Sequence, residues 1–452
     1  MKKGMKYFQE LGDKIDDAWK KSLNDERAFP AIAEAALLEN PPHLFVDPHD
    51  VIEWGLTARS MGMQHGGGVD FGEPPVIVYR ARRFYIEVLF WFDGTTSIHQ
   101  HAFDGAFCVL GGSSVHSRYD FRETDRTSTR LVFGDVEFRY AELLKQGSVH
   151  QILSADKFIH ALFHLDHPSV SIVVRTDHTQ GSVQYSYSPP YMGVDPFDST
   201  VVNRRAVQFL RALRLLKSER ATELTRRGFE CLDDLGVMNA MLVLSQWKDD
   251  VVAGAGEETE SKEPPKDAKG IAAAEKAEKD KATVLAMYDA AEAVTKARFG
   301  ALWPALEASF AETLRTTQLV LARSRVHDPE LRFFLALLMN VPDRPRLLEL
   351  VEERFPGSDP VDTVLRWLSA LSDGTTLEYE LGDDTLKLLG FLIRGATPRE
   401  AGQQLAKVHQ RDFSSEEIEA IEETISELKK VPIFRALLVT EKPLRIHALL
   451  NR

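Results

Sequence analysis

Hydrophobic and polar positions change their spacing three times along the chain. Residues 1–75 read as helices and loops, with an apolar helical stretch at Ala31–Leu38 and a Gly-rich loop at Gly66–Gly68. That loop neither follows a strand nor opens a helix, so a turn or hinge is expected there and not a phosphate cradle. From Val76 to about Tyr191 the apolar residues fall in short runs: VIVY, FYIEVLFWF, GAFCVL, RLVFGDVEFRY, FIHALFHL and SVSIVVR. These runs are rich in β-branched and aromatic residues and are separated by Gly, Asp, Ser and Thr, which predicts strands. Successive short strands without intervening helices predict a β-sandwich or barrel.

After Pro196 the period becomes helical, with Val207, Leu210, Leu213, Leu215 and Leu216 interleaved with Arg and Lys. Residues 251–282 are rich in Ala, Glu, Lys, Gly and Pro and nearly free of large apolar side chains. They predict a flexible linker or a fraying charged helix, since little surface there offsets the ordering entropy. From residue 283 onward everything reads as helix, punctuated by Pro329, Pro342, Pro356, Pro360 and Pro398, and Ser414-Ser415-Glu-Glu reads as a helix N-terminus. The expected fold class is therefore α+β and multidomain. A helical N-terminal extension (1–75) precedes a β-barrel (76–198), helices packing on or following it (199–250), a charged linker (251–282) and an all-α domain (283–452).

Composition narrows the function classes. With 452 residues, 44% hydrophobic and 27% charged, the chain has the mix of a soluble globular protein of two or three domains. A net charge of −13 argues against general nucleic-acid binding. The two cysteines, Cys108 and Cys231, are too few for a disulfide framework. The N-terminus lacks the apolar core of a secretory signal, and no apolar run is long enough for a membrane span, so a cytoplasmic location is expected.

The informative stretch runs from Trp91 through Ser97-Ile-His99-Gln-His101 to Gly111-Gly112. Residues two apart on a strand project from one face, so His99 and His101 point together and can hold one divalent ion with neutral nitrogen donors. A third ligand is expected from Phe158-Ile-His160-Ala-Leu-Phe-His164, where His160 and His164 share a face. His160 is the favoured ligand, with His164 beside it as a catalytic or substrate-contacting neighbour. Three neutral imidazoles would leave the ion its full charge and open positions, which suits an anionic substrate together with dioxygen or water.

These residues resemble the cupin superfamily and, within it, the cysteine dioxygenase-like thiol dioxygenases. The resemblance covers residues 76–191 and rests on Val88-Leu-Phe-Trp91-Phe-Asp-Gly94 running into Ser97-Ile-His99-Gln-His101, then Ile159-His160, then His167-Pro-Ser-Val-Ser-Ile. It implies a double-stranded β-helix barrel, with iron held by His99, His101 and His160. The carboxylate ligand of other cupins is absent: Gly105 and Ala106 occupy its expected positions, and Asp104 lies one residue early. By the same resemblance Arg80, or else Arg82 or Arg83 because the hairpin is shorter here, would bind a substrate carboxylate. Tyr187, in Tyr187-Ser-Pro-Pro190, or Tyr185 would be catalytic, with an extra segment at Thr176–Ser182 lengthening the family spacing. His167 and Asp104 would act behind the ligands, with Asp104 as a carboxylate ligand the minor alternative. Cys108 shares a strand face with Ala106, where some members carry a crosslinking Cys, and Glu87 stands at a position that is apolar in the family.

The expected activity is a mononuclear non-haem Fe(II) oxygenase acting on a small thiol or similar anionic substrate. The alternatives are a zinc or nickel hydrolase or isomerase on the same barrel, and a non-enzymatic metal or ligand sensor. A small-molecule substrate is expected, with no membrane or general nucleic-acid partner. The C-terminal helices are the candidate surface for a protein partner or self-association.

Overall fold

The computed structural model describes residues 3–64, 72–92, 96–177, 182–197, 200–259, 268–372, 381–440 and 442–451. The Gly66–Gly68 loop, residues 178–181 of the Thr176–Ser182 segment and 260–267 of the charged stretch lie outside them. Element order follows the hydrophobic pattern. Three helices, α1 (Lys3–Lys21), α2 (Phe29–Glu39) and α3 (Pro48–Thr57), precede a β-barrel region running from Pro75 to Val194. From Val201 onward the described elements are helical. Where the charged stretch is described it is helix, up to Thr259 and again from Ala268. No described helix is long and apolar enough to cross a membrane.

The strands are β1 (Pro75–Arg80), β2 (Phe84–Trp91), β3 (Ile98–His101), β4 (Gly105–Gly111), β5 (Ser114–Ser128), β6 (Leu131–Leu144), β7 (Val149–Ile152), β8 (Ala155–His164), β9 (Ser169–Thr176), β10 (Ser186–Ser188) and β11 (Met192–Val194). The helices that follow are α4 (Val201–Leu215), α5 (Ala221–Cys231), α6 (Asp234–Thr259), α7 (Ala268–Phe299), α8 (Trp303–Arg325), α9 (Pro329–Asn340), α10 (Arg344–Arg354), α11 (Pro360–Ser372), α12 (Asp383–Ile393), α13 (Pro398–Val408), α14 (Ser415–Leu428), α15 (Pro432–Leu438) and α16 (Ile446–Leu450). The chain divides into two compact units, one made of Met1–Phe121, Glu137–Gln184 and Arg315–Lys442, the other of Arg122–Val136, Tyr185–Leu314 and Pro443–Arg452.

The first unit is layered. One sheet has the order β1-β2-β9-β4-β7, and the second carries β6-β5-β8-β3. Alternation assigns each strand two faces. On the first sheet Phe84, Ile86, Val88, Cys108, Leu110, Ile172 and Val174 pack with Phe8, Leu11, Ile15, Trp19 and Phe29 of the N-terminal helices. The opposite face contributes Leu89, Trp91, Phe107, Val109 and Val173, which meet Phe158 and Leu162 of β8 in a core between the sheets. On the second sheet Val115, Phe163 and Leu165 turn away from that core and pack under the C-terminal helices, with Leu319, Phe333, Phe334, Leu337 and Trp367. Those helices start where their sequence signals predict: Asp328 caps α9, and Ser414 with Glu417 forms a capping box on α14.

Polar contacts tie the helical cover to the strands it covers. The Arg323 guanidinium, buried on α8, lies 3.6 Å from the Phe163 ring centre and donates to His164 O at 2.7 Å. Tyr119 Oη donates to Asn340 O at 3.1 Å, and Arg346 Nε donates to Ala141 O at 2.8 Å. In the second unit Leu131, Phe133, Met192 and Val194 pack with Phe229, Val237, Met241, Met287, Phe299 and Leu306. There the buried Asp135 carboxylate accepts the Ile446 N–H at 2.8 Å, which anchors α16.

Phe163→Ala is expected to cost about 3–5 kcal/mol, because a fully buried ring between sheet and helices leaves a cavity. Leu321→Ala, on the exposed side of α8, should change stability by less than about 0.5 kcal/mol. Urea midpoints of the two variants check this, and equal midpoints would contradict the layered packing.

Candidate metal centre

The short strand β3 pairs antiparallel with β8, and His99 stands opposite His160. The register then slips, so that His101 pairs with Ala155, whose φ of 61° is the left-handed conformation of a bulge residue. On β8, Phe158, His160, Leu162 and His164 share one face. Across the strand pair on β5, Arg118 lies opposite His160, His116 opposite Leu162, and Ser114 opposite His164. Because Phe158 and Leu162 belong to the core between the sheets, this whole face looks into the barrel. His99, His101 and His160 are all buried there.

Each of the three imidazoles brings a nitrogen within 4.8 Å of the others'. His101 Nε2 and His160 Nε2 are 2.9 Å apart. Two nitrogens bound at about 2.1 Å and at right angles to each other would be separated by about 3.0 Å, so this spacing suits adjacent positions on one ion. Tautomers are largely set from behind. His99 Nδ1 donates to Ser97 O at 2.7 Å, which puts the ring's lone pair on Nε2. His160 Nδ1 is 3.0 Å from His116 Nε2, and His116 Nδ1 is 2.9 Å from Glu142 Oε1. His101 Nδ1 is buried with no hydrogen-bond partner.

Burial keeps the cluster neutral. It pulls His99 down to about 4 and, outweighing the Glu142 carboxylate, His116 to about 4 as well. His101 and His160 are held well below the ordinary histidine range by burial first and then by neighbouring histidines and guanidinium groups. Neutral imidazole is the form that binds a divalent ion, so the residues present fit one. A carboxylate cannot come from position 105: a Cβ on Gly105 would lie 2.1 Å from Val174 O. Ala106 and Cys108 pack instead against the N-terminal helices, and burial pushes the Cys108 thiol up to about 12.

His164 is stacked on Trp91 (ring centres 4.6 Å apart, planes 15° apart), and its Nδ1 is 3.0 Å from Ser114 Oγ. The Asp104 carboxylate accepts the Ser154 N–H at 2.9 Å, and His167 Nδ1 hydrogen-bonds to Phe92 O. Arg80 forms an exposed ion pair with Asp177 at 2.8 Å at the end of β1, and Arg82 is exposed in the β1–β2 turn. Tyr185 and Tyr187 belong to the second unit, where Tyr185 Oη donates to Thr129 O at 2.7 Å and accepts from Arg126 Nη1 at 3.1 Å. Glu87 is buried, with Arg175 Nη1 at 3.5 Å.

The barrel interior also holds residues that the sequence reading did not single out: His116, Glu142, His150, Arg118 and Arg175. Arg118 lies 3.8 Å from the Phe158 ring centre and Arg175 lies 3.4 Å from that of Phe103. His116 and Arg118 sit on Ser114-Val-His116-Ser-Arg118-Tyr, whose alternation was a usable strand signal. The polar positions of that strand face inward.

No protein-family model matches this chain, and no curated protein does either. Among solved structures it is similar to hydroquinone 1,2-dioxygenase from Sphingomonas sp. TTNP3 with 4-hydroxybenzoate bound (13% identity, 25% of this chain, 70% of that chain, TM-score 0.19). It is also similar to a hydroquinone 1,2-dioxygenase in complex with Cd2+ and 4-hydroxybenzonitrile (16% identity, 25% of this chain, 68% of that chain, TM-score 0.18). A further match is to structures of DMSP lyases (15% identity, 24% of this chain, 45% of that chain, TM-score 0.17).

Buried neutral histidines make the metal-free fold acid-labile. The unfolded chain takes up a proton on each near pH 6.5, whereas His99 and His116 take theirs only near pH 4 in the folded state. Stability is therefore full above about pH 6.5 and falls as the pH drops towards about 4, by up to about 1.4 kcal/mol per pH unit for each such histidine. Urea midpoints of the metal-free chain at about pH 7.5, 6 and 5 should fall in that order, most steeply per pH unit across the lower two. A midpoint unchanged throughout would count against a neutral buried cluster.

Proposed function

We propose that this protein is a metal-dependent cupin-type enzyme, a mononuclear non-haem Fe(II) oxygenase that acts on a small thiol or similar anionic molecule. The observation that carries the reading is the convergence of His99, His101 and His160 in a buried barrel interior with no carboxylate in the group. An Fe(II) ion held there would retain its full charge and supply binding and redox chemistry for dioxygen and an anionic group.

The residues around the histidines support an anionic substrate. The Arg118 and Arg175 guanidinium groups face the same interior, and both bias His101 against protonation, so the wall is positive near the ligands. Phe103, Phe107 and Phe158 lie against the imidazoles, with ring centres 4.6–6.0 Å away, and exclude water from them. The same three neutral donors also suit zinc, which is the basis for a hydrolase or isomerase as the second reading.

Anaerobic reconstitution decides between them. About one Fe(II) per chain should bind, oxygen uptake should require a thiol or related anion, and His160→Ala should abolish both while leaving the far-UV circular dichroism unchanged. Stoichiometric iron with no oxygen uptake from any thiol would remove the thiol version. Zinc retained through chelation of protein purified without added metal would favour the second reading.

A further inference from the structure

Beside the three ligands lies a second group of ion-binding residues, His116, Glu142 and His150, whose donor atoms are also within 4.8 Å of one another. It comes from three strands that the metal reading does not use. His116 is fully buried on β5, Glu142 lies on β6, and His150 lies on β7 with its Nε2 3.7 Å from Glu142 Oε1. By residue type this would pass for a second metal site.

Proton bookkeeping argues otherwise. A carboxylate only accepts, so the 2.9 Å contact from Glu142 Oε1 to His116 Nδ1 requires the proton on Nδ1. A neutral imidazole carries one N–H, which leaves a lone pair on His116 Nε2. The 3.0 Å contact from that atom to His160 Nδ1 then requires the His160 proton on Nδ1, with the His160 lone pair on Nε2. Nε2 is the atom that stands 2.9 Å from His101 Nε2. Burial of both rings opposes any extra proton that would break the sequence.

An ion at His116 Nδ1, Glu142 and His150 would reverse every step. The His116 proton would move to Nε2 and be donated to His160 Nδ1, and the His160 proton would move to Nε2, blocking it as a ligand. Neutral tautomers therefore allow one ion or the other. Both His116 nitrogens are already engaged, whereas His101 Nε2 and His160 Nε2 stand 2.9 Å apart as donors to one ion, which favours the ion at His99, His101 and His160.

We propose that Glu142 and His116 form a positioning arm that fixes His160 in its ligating tautomer, and that the group with His150 is not a second ion site. The proposal rests on reading His99, His101 and His160 as the metal centre. Its test uses the full chain and Glu142→Met, which removes the acceptor at similar volume, with Glu142→Gln as the rescue because an amide oxygen still accepts. Nitrogen-15 NMR of the metal-free chain reads the imidazole tautomers, and equilibrium dialysis with Zn(II) and Fe(II) reads stoichiometry and affinity.

The wild-type chain should show His160 protonated on Nδ1 and bind one ion. Glu142→Met should mix the His160 tautomers and weaken binding by about 10–100-fold at unchanged stoichiometry, and Glu142→Gln should recover most of it. Two ions per chain, with one lost in Glu142→Met, would overturn the proposal in favour of a second site. One ion bound with an affinity that Glu142→Met leaves untouched would overturn the arm alone. A wild-type chain that binds neither ion would overturn the metal centre and the arm's purpose with it, even if His160 keeps its proton on Nδ1.

Discussion

The antiparallel pairing of β3 with β8 is the constraint on which the site depends. It sets His99 against His160, which lies far along the chain on another strand, and brings two separate sequence signals to one point. The slip immediately afterwards moves His101 out of regular register, with Ala155 held in a left-handed conformation beside it. Such a backbone costs of order 1–2 kcal/mol for a residue other than glycine, so the surrounding packing must hold it.

That packing is supplied from both sides. The first sheet is backed by the N-terminal helices, and the β5–β8 face is backed by the helices of Arg315–Lys442. With both outer faces covered by apolar layers, the polar side chains of these strands are turned inward, where they must satisfy one another. The result is a barrel interior in which His101, His160 and His116 and then the Glu142 carboxylate are linked nitrogen to nitrogen to oxygen. In a low-dielectric interior such a chain is worth making complete, since an unpaired buried donor or acceptor costs about 1–3 kcal/mol.

Much of the architecture was legible in the chain. Short runs of β-branched and aromatic residues marked the barrel, period-3.6 runs the helices, and Ser414 a helix start that a capping box bears out. His99 and His101 were legible as a pair because alternation fixes which residues of one strand share a face, and His160 was legible as a candidate on a later strand that the resemblance added to them. The grouping of His116, Glu142 and His150 was not. They lie on three different strands, each as a single polar residue among others, and only the sheet order and the direction of each face bring them together. The segment Ser114–Tyr119 shows why: its alternation of polar with apolar reads as a half-solvated strand, yet its apolar side meets a helical layer and its polar side is buried.

The sequence by itself determined that His99 and His101 project together from a strand and that a later strand offers His160, because the two-residue repeat of an extended chain is a local property. It also determined that no carboxylate stands where Gly105 and Ala106 do. Only the tertiary structure decided which nitrogens face one another, why no side chain fits at Gly105, and that His160 is held from behind by His116 and Glu142. Those facts depend on strand register, on layers packed from distant segments and on a single proton per neutral imidazole. None of these is set within a short window of sequence.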